Sequence, residues 1–186
     1  MKKQQETTLY LAYGSNLNLS QMARRCPTAR QLDTTVIPDY GLVFRGARNG
    51  AVATIEPCKG KSVPVLAWEL KPLDELALDH YEGYPHFYEK RTHTVELGGK
   101  PVEAMVYEMT PGHVIGIPAQ AYYEAIREGY ESAGFDVSAL DEAVIQSAGL
   151  AMRESREEMA LDEAAWQEEI RQQEDPEYDM DPEMGW

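Results

Sequence analysis

Apolar and polar positions fall into stretches of different period, and the stretches divide the chain into strand-like and helix-like parts. Leu9-Tyr10-Leu11-Ala12-Tyr13 is a short apolar run stopped by Gly14, which suits a buried strand ending at a tight turn. A helix should follow, capped by Asn18 or Ser20, continued over residues 21–25 and stopped by Pro27. Further strands are expected at residues 40–45, 51–56, 63–70, 87–97 and 102–109, with Gly98-Gly99 joining the last two as a hairpin. Residues 72–81 read as a short helix with Pro72 in its first turn and Leu73, Leu76, Ala77 and Tyr81 on one side, ending at Glu82-Gly83. Pro118 opens another helix, whose apolar stripe of Tyr122, Ile126, Tyr130 and Ala133 ends at Gly134. Ser138 with Asp141 three residues on starts a last helix. Its pattern runs to about residue 174, with a break expected near Gly149, and Pro176 and Pro182 interrupt the remaining residues.

Strands joined by loops and followed by helices indicate an α+β domain rather than repeated βαβ units. With five or six mostly antiparallel strands, closure into a small β-barrel with flanking helices removes the exposed edges. One domain over residues 1–149 and a helical tail over residues 150–186 are expected. The division rests on composition: residues 151–186 hold 13 acidic and 3 basic side chains, a net charge of −10 out of −15 for the whole chain. The tail is rich in Glu, Gln, Met and Ala, whereas the body is rich in Val, Tyr, Thr and Gly.

So acidic a surface repels phosphate backbones and anionic lipid headgroups, which argues against nucleic-acid and membrane partners. No apolar run approaches the ~20 residues that span a bilayer, and Lys2 and Lys3 are followed by polar residues rather than a signal-peptide core. Cys26 and Cys58 alone make neither a disulfide scaffold nor a paired zinc motif, so a reducing, cytoplasmic location is expected. His80, His86, His93 and His113 never fall into metal-ligand spacing and read as surface or packing residues. A nucleophile built on either cysteine lacks a supporting motif, and a buried apolar cysteine is the commoner case.

Two segments carry candidate chemistry. Tyr13-Gly14-Ser15-Asn16-Leu17 leaves a strand through glycine and enters a helix, where unpaired backbone N–H groups hold a carboxylate or a developing oxyanion. Taken alone it is also an ordinary Gly-Ser-Asn turn. Neither a Walker motif nor Gly-x-Gly-x-x-Gly is present there, so it is no nucleotide loop. Glu82 sits at the C-terminal end of a helix, at the unfavourable pole of the dipole. It is either solvated and harmless, or enclosed by Tyr81, Tyr84, Phe87 and Tyr88 in a partly apolar pocket that raises its pKa into a range useful for moving protons.

The order and wording of these segments resemble the γ-glutamylcyclotransferase family, including its AIG2-like members. The resemblance runs from Leu9 to Leu17, through Ala53-Thr54-Ile55 and Leu66-Ala67-Trp68-Glu69-Leu70, to Leu78-Asp79-His80-Tyr81-Glu82-Gly83, Val106-Tyr107-Glu108-Met109 and Pro118 to Tyr122. It implies a small β-barrel with a glutamate at the mouth of a cavity acting as acid and base. Carried over by position, Glu82 matches the catalytic glutamate, and Gly14, Ser15, Asn16 and Leu17 match the substrate-gripping loop, which Tyr13 precedes. Tyr88, Tyr107 and Tyr122 fall where similar proteins place tyrosines around the pocket, with Tyr123 competing for the place of Tyr122. Ala119 departs from the pattern, standing where many relatives have serine, and the acidic tail has no counterpart.

The implied reaction needs little equipment. The α-amine of a γ-glutamyl group attacks its own side-chain carbonyl, giving 5-oxoproline and expelling an amine. A base, oxyanion donors and a proton for the leaving amine are required; a metal, a cofactor and a protein nucleophile are not. The expected partner is a small-molecule γ-glutamyl substrate. Leu150, Met159, Leu161, Trp166 and Ile170 of the tail offer packing on the barrel or on another subunit, the route to self-association. Two other functions fit the same residues: removal of a γ-glutamyl cap from a larger biosynthetic acceptor, and a non-catalytic AIG2-like binding module whose acidic tail recruits a basic partner. The presence of Glu82 speaks against the last.

Overall fold

The apolar run near the N-terminus becomes strand β1 (Thr8–Ala12), and the sheet is arranged around it. Leu11 and Ala12 are fully buried. A strand covered on both faces needs apolar residues in succession rather than alternation, which is what this run supplies. The computed structural model describes residues 6–174, so Lys2, Lys3, Pro176 and Pro182 lie outside the described residues. On one side β1 pairs antiparallel with β3 (Asn49–Leu70), in register Tyr10 to Trp68 and Ala12 to Leu66. On its other side it runs parallel to β5 (Lys100–Met109). β2 (Arg30–Arg45) lies outside β3, and β4 (Tyr88–Leu97) outside β5, giving the order β2-β3-β1-β5-β4. A two-residue strand, β6 (Ile117–Pro118), pairs parallel with the start of β3.

The sheet is mixed and mostly antiparallel, and it curls without closing. Thr35 Oγ1 of β2 donates to the Glu96 carbonyl of β4 at 2.5 Å, and Tyr40 meets His93 edge to face at 4.8 Å. These contacts bring the outer strands together, yet no ladder joins them, so the expected barrel is a loose one.

Three of the expected strands are parts of two long ones. β2 starts ten residues before Tyr40, and β3 runs through Pro57, Gly60 and Pro64 without a break. The prolines and glycine read as stops, but register shifts near Gln31 and between Pro38 and Tyr40 absorb the irregularity. Asp39 takes a positive φ of 58° there, and its Oδ1 accepts the Gly60 N–H at 2.8 Å across the hairpin.

Among the described residues there are four helices: α1 (Leu19–Arg25), α2 (Pro72–Glu82), α3 (Gln120–Ala133) and α4 (Val137–Glu174). Asn18 caps α1, its side chain accepting from the Gln21 N–H. Pro118 does not open α3; it belongs to β6, and Ala119 takes the cap position with no side-chain hydrogen bond to offer. Asp136 rather than Ser138 accepts at the start of α4, from the Ser138 N–H at 2.9 Å. α4 passes Gly149 unbroken, the ~1 kcal/mol disadvantage of a single glycine being small beside the helix formers around it.

By its internal contacts the chain divides into two units, the first ending at Ala151 and the second beginning at Met152. In the first, Leu140, Ala143 and Ser147 of α4 are buried, and Ser147 Oγ accepts the Phe44 N–H at 3.1 Å. In the second, Met152, Met159, Leu161 and Trp166 are exposed. Among the described residues no helix is long and apolar enough to cross a membrane.

The contact that positions the loop after β1 is made by α3. Gly129 is buried against Leu17 and Asn18, and a Cβ built on it would lie 2.4 Å from Leu17 Cβ and 2.8 Å from the Leu17 carbonyl carbon. Asn18 Nδ2 also donates to the Ala125 carbonyl at 3.1 Å. Gly129→Ala should therefore destabilise the protein by at least ~1 kcal/mol, because backbone overlap outweighs the ~1 kcal/mol gain in helix propensity. Chemical denaturation checks this, and a stabilised variant would show that α3 does not approach the loop so closely.

Candidate active site

After Ala12 the chain leaves the sheet through Tyr13 and Gly14 and makes one 3₁₀ turn over Ser15–Leu17, with α1 immediately after it. Leu17 N–H donates to the Gly14 carbonyl at 3.0 Å and Asn18 N–H to that of Ser15 at 3.1 Å. The amides of Ser15 and Asn16 precede these and have no acceptor within the turn. Gly14 has a negative φ of −113°, outside the left-handed region that favours glycine. A Cβ there would make van der Waals contact, at 3.4 Å, with both Ala53 Cβ and the Tyr122 hydroxyl.

This turn forms one wall of a cavity of about 200 Å³. Of the residues singled out in the sequence, Tyr13, Gly14, Ser15, Asn16, Glu82, Tyr88, Tyr107 and Tyr122 line it together. Leu17 does not; its side chain is fully buried in the core, where it holds the turn against α3. Tyr123 points elsewhere, its hydroxyl donating to Asp141. Tyr81 and Phe87 also line the cavity, whereas Tyr84 stands exposed under the Lys90 ammonium.

Glu82 is the last residue of α2, and Gly83, left-handed at φ 65°, turns the chain away immediately after it. Its carboxyl points inward, and burial pushes its pKa up to about 7. The hydrogen bond from Asn16 Nδ2 to Oε1, at 2.8 Å, and the charge of Arg25 oppose that rise without cancelling it. Between them, desolvation and a single strong donor leave a group that exchanges its proton near neutrality.

The tyrosine hydroxyls around it are each committed to a partner. Tyr13 donates to the Tyr107 carbonyl at 2.5 Å, and Tyr107 donates to Asp79 Oδ1 at 2.6 Å. Tyr88 donates to the Ala53 carbonyl at 2.6 Å, while the Ala53 N–H donates to the Tyr122 hydroxyl at 3.1 Å. Lys90 of β4 bridges Glu75 at 2.6 Å and Asp79 at 2.7 Å, and Thr8 of β1 donates to Glu75. These bonds fasten α2, and so Glu82, to three strands.

Sequence reasoning missed Tyr10 and Arg25. Tyr10 lines the cavity and its hydroxyl accepts from Asn16 Nδ2 at 2.9 Å. Its place in an unbroken apolar run gave no sign of which side it faced. Cations do not line the cavity: Arg45 pairs with Glu56, and Arg91 with Glu89. Cys26 offers no thiolate, since burial pushes its thiol up to about 11 and its Sγ–H is directed at the Asp74 carbonyl. Among the described residues no cluster of His, Cys, Asp or Glu is arranged to hold a metal. The arrangement can therefore transfer a proton through one carboxyl and hold oxygen atoms on backbone amides and hydroxyls.

Known proteins share this architecture. A solved structure named gamma-glutamyl cyclotransferase is similar at a TM-score of 0.67 and 25% identity, covering 74% of this chain and 86% of its own. An uncharacterized protein from Homo sapiens is similar at a TM-score of 0.67 and 26% identity, with the same coverage. A yeast gamma-glutamyl cyclotransferase specific to glutathione, at 10% identity and a TM-score of 0.52, shares the fold alone. No curated protein sequence matches the chain. The family model for gamma-glutamyl cyclotransferase, AIG2-like, matches residues 10–130, which contain every residue of the cavity wall. The chain belongs to that family.

Proposed function

We propose that the protein is a γ-glutamyl cyclotransferase, converting a γ-glutamyl amine or amino acid into 5-oxoproline and the free amine. The observation that carries this reading is the Glu82 carboxyl, held beside the Gly14–Asn16 turn in a cavity whose other walls are neutral. In the ionised form Glu82 takes a proton from the substrate's α-ammonium group. The freed amine nitrogen then attacks the γ-carbonyl carbon, and the new C–N bond closes a five-membered ring. The carbonyl oxygen, now carrying the negative charge, is held by the loop amides of Ser15 and Asn16. As the oxyanion collapses, the bond to the leaving nitrogen breaks while Glu82 delivers its proton there; the ring nitrogen then gives its second proton to Glu82, which passes it to the departing amine, leaving a neutral lactam, an ammonium product and the carboxylate restored. No water is consumed, and orienting the substrate for ring closure is itself worth several kcal/mol. Cys26 and Cys58 are free thiols, in keeping with a cytoplasmic site of action.

The test is release of 5-oxoproline from a panel of γ-glutamyl amino acids, γ-glutamyl amines and γ-glutamyl peptides, which also identifies the acceptor. Glu82→Gln should fold yet lose at least ~10²-fold in turnover, and a folded variant that retained activity would sink the assignment. Because only the ionised carboxyl accepts a proton, wild-type kcat/KM should rise with pH through about 7. A flat profile from pH 5 to 8 would mean that another group is the base.

Stability should move the other way. Below the unfolded glutamate pKa the carboxyl is protonated in both states and contributes nothing. Between that value and about 7 the folded protein keeps a proton that the unfolded chain has released, so stability falls as pH rises through this window. Glu82→Gln cannot titrate and should therefore gain on the wild type between pH 4 and pH 8, by ~2 kcal/mol once water reaching the half-buried residue is allowed for. Denaturation midpoints of the two proteins at both pH values decide this, and an unchanged difference would show that the carboxyl is solvated.

A further inference from the structure

The geometry points to Arg25 as a positioning residue for Glu82: its guanidinium fixes which way the Asn16 amide faces, and so commits the Asn16 NH₂ to the Glu82 carboxyl. Arg25 lies in the last turn of α1 and is half-buried at the edge of the site, outside the cavity wall. One of its NH₂ groups donates to Asn16 Oδ1 at 2.7 Å and to Ser15 Oγ at 3.3 Å. The other donates to Gln21 Oε1 at 2.6 Å and to the Tyr81 hydroxyl at 2.7 Å, with the guanidinium carbon 3.6 Å from the Tyr81 ring centroid. Every acceptor is neutral. Ion pairing is thus not what holds this arginine in place.

Asn16 has three hydrogen-bonding groups to satisfy while 3% exposed, and all three are used. Its carbonyl oxygen faces Arg25, and its NH₂ reaches the Tyr10 hydroxyl at 2.9 Å and Glu82 Oε1 at 2.8 Å. Turning the amide over would set NH₂ against guanidinium and carbonyl oxygen against carboxylate, two repulsive contacts in a water-poor site. Arg25 removes that alternative. The groups facing the Glu82 carboxyl are Tyr10 of β1, Tyr13 just after it, Asn16 of the turn, Tyr88 of β4, Tyr107 of β5, Tyr122 of α3 and Arg25 of α1; of these only Arg25 carries a formal charge. Its charge favours the carboxylate across one intervening amide.

This inference rests on the proposed function only for its consequence in turnover, so the decisive readout is made without substrate. Glu82 is titrated by carbon-13 NMR of its carboxyl in the full-length wild type and in Arg25→Met, which keeps an apolar stem of similar reach and removes the charge and the fork. The midpoint should rise by at least ~0.5 pH unit in Arg25→Met and return toward the wild-type value in Arg25→Lys, where charge and a donor are retained. If Arg25→Met does not fold, Arg25→Gln takes its place with the same expectation. With γ-glutamylalanine as substrate, the acid limb of the 5-oxoproline rate profile should move to higher pH with the midpoint. A folded, neutral variant in which Glu82 titrates as in the wild type overturns the proposal, as does a lysine variant no closer to wild type than the methionine one. Should the midpoints move as stated while the wild type releases no 5-oxoproline, the positioning role stands and the cyclotransferase reading falls.

Discussion

A carboxyl group withdrawn from water loses more hydration than one hydrogen bond returns, and the site of this protein is built around a single carboxyl in that condition. Among the described residues the Asn16 amide is the one side-chain donor to Glu82, and much of the surrounding structure serves to hold the two ends of that contact in register. One end rides on β1, the central strand, through the turn at its C-terminal end; the other ends α2. α2 is tied to β1, β4 and β5 by Thr8, Lys90 and Tyr107 acting on Glu75 and Asp79. Were either end to slip by an ångström, the carboxyl would lose that donor.

The range of each interaction decides how much of this arrangement the sequence disclosed and how much it hid. The Gly14–Asn16 turn and Glu82 announce themselves because each lies at a boundary between elements, where local chemistry leaves a recognisable signature: a strand stopped by glycine, and a carboxylate at the wrong end of a helix before another glycine. Arg25 and Tyr81 are 56 residues apart and meet only when α1 and α2 fold onto the same turn, so no spacing rule reaches them. Tyr10 illustrates a subtler limit. Side chains of β1 at alternating positions face opposite ways, yet both Tyr10 and Tyr13 line the cavity, because the chain leaves the strand geometry after Ala12.

The sheet shows the same division. β4 and β5, with their Gly98-Gly99 turn, are recognisable as a hairpin from the sequence. The first half of β2 is not, because residues 30–39 are mostly exposed and offer hardly any alternation of apolar and polar positions to detect. Its pairing with β3 is instead carried by backbone hydrogen bonds and by the irregularity at Asp39, which leave little trace in residue type. Proline and glycine mark the places where a strand is bent as well as those where it ends, and only the partner strand distinguishes the two.

Ala53 lends its carbonyl to one tyrosine and its amide to another, and this gives the two hydroxyls opposite hydrogen-bonding character. Tyr88 spends its proton on the carbonyl, so its oxygen can only accept from a visitor. Tyr122 receives the amide proton and keeps its own, so it remains able to donate. Two side chains of identical chemistry, fastened to the two faces of one residue's backbone, thereby present a directional pair. A group reaching both must bring a donor to one and an acceptor to the other, in a fixed order along the wall, and the side chain at position 53 has no part in setting that order.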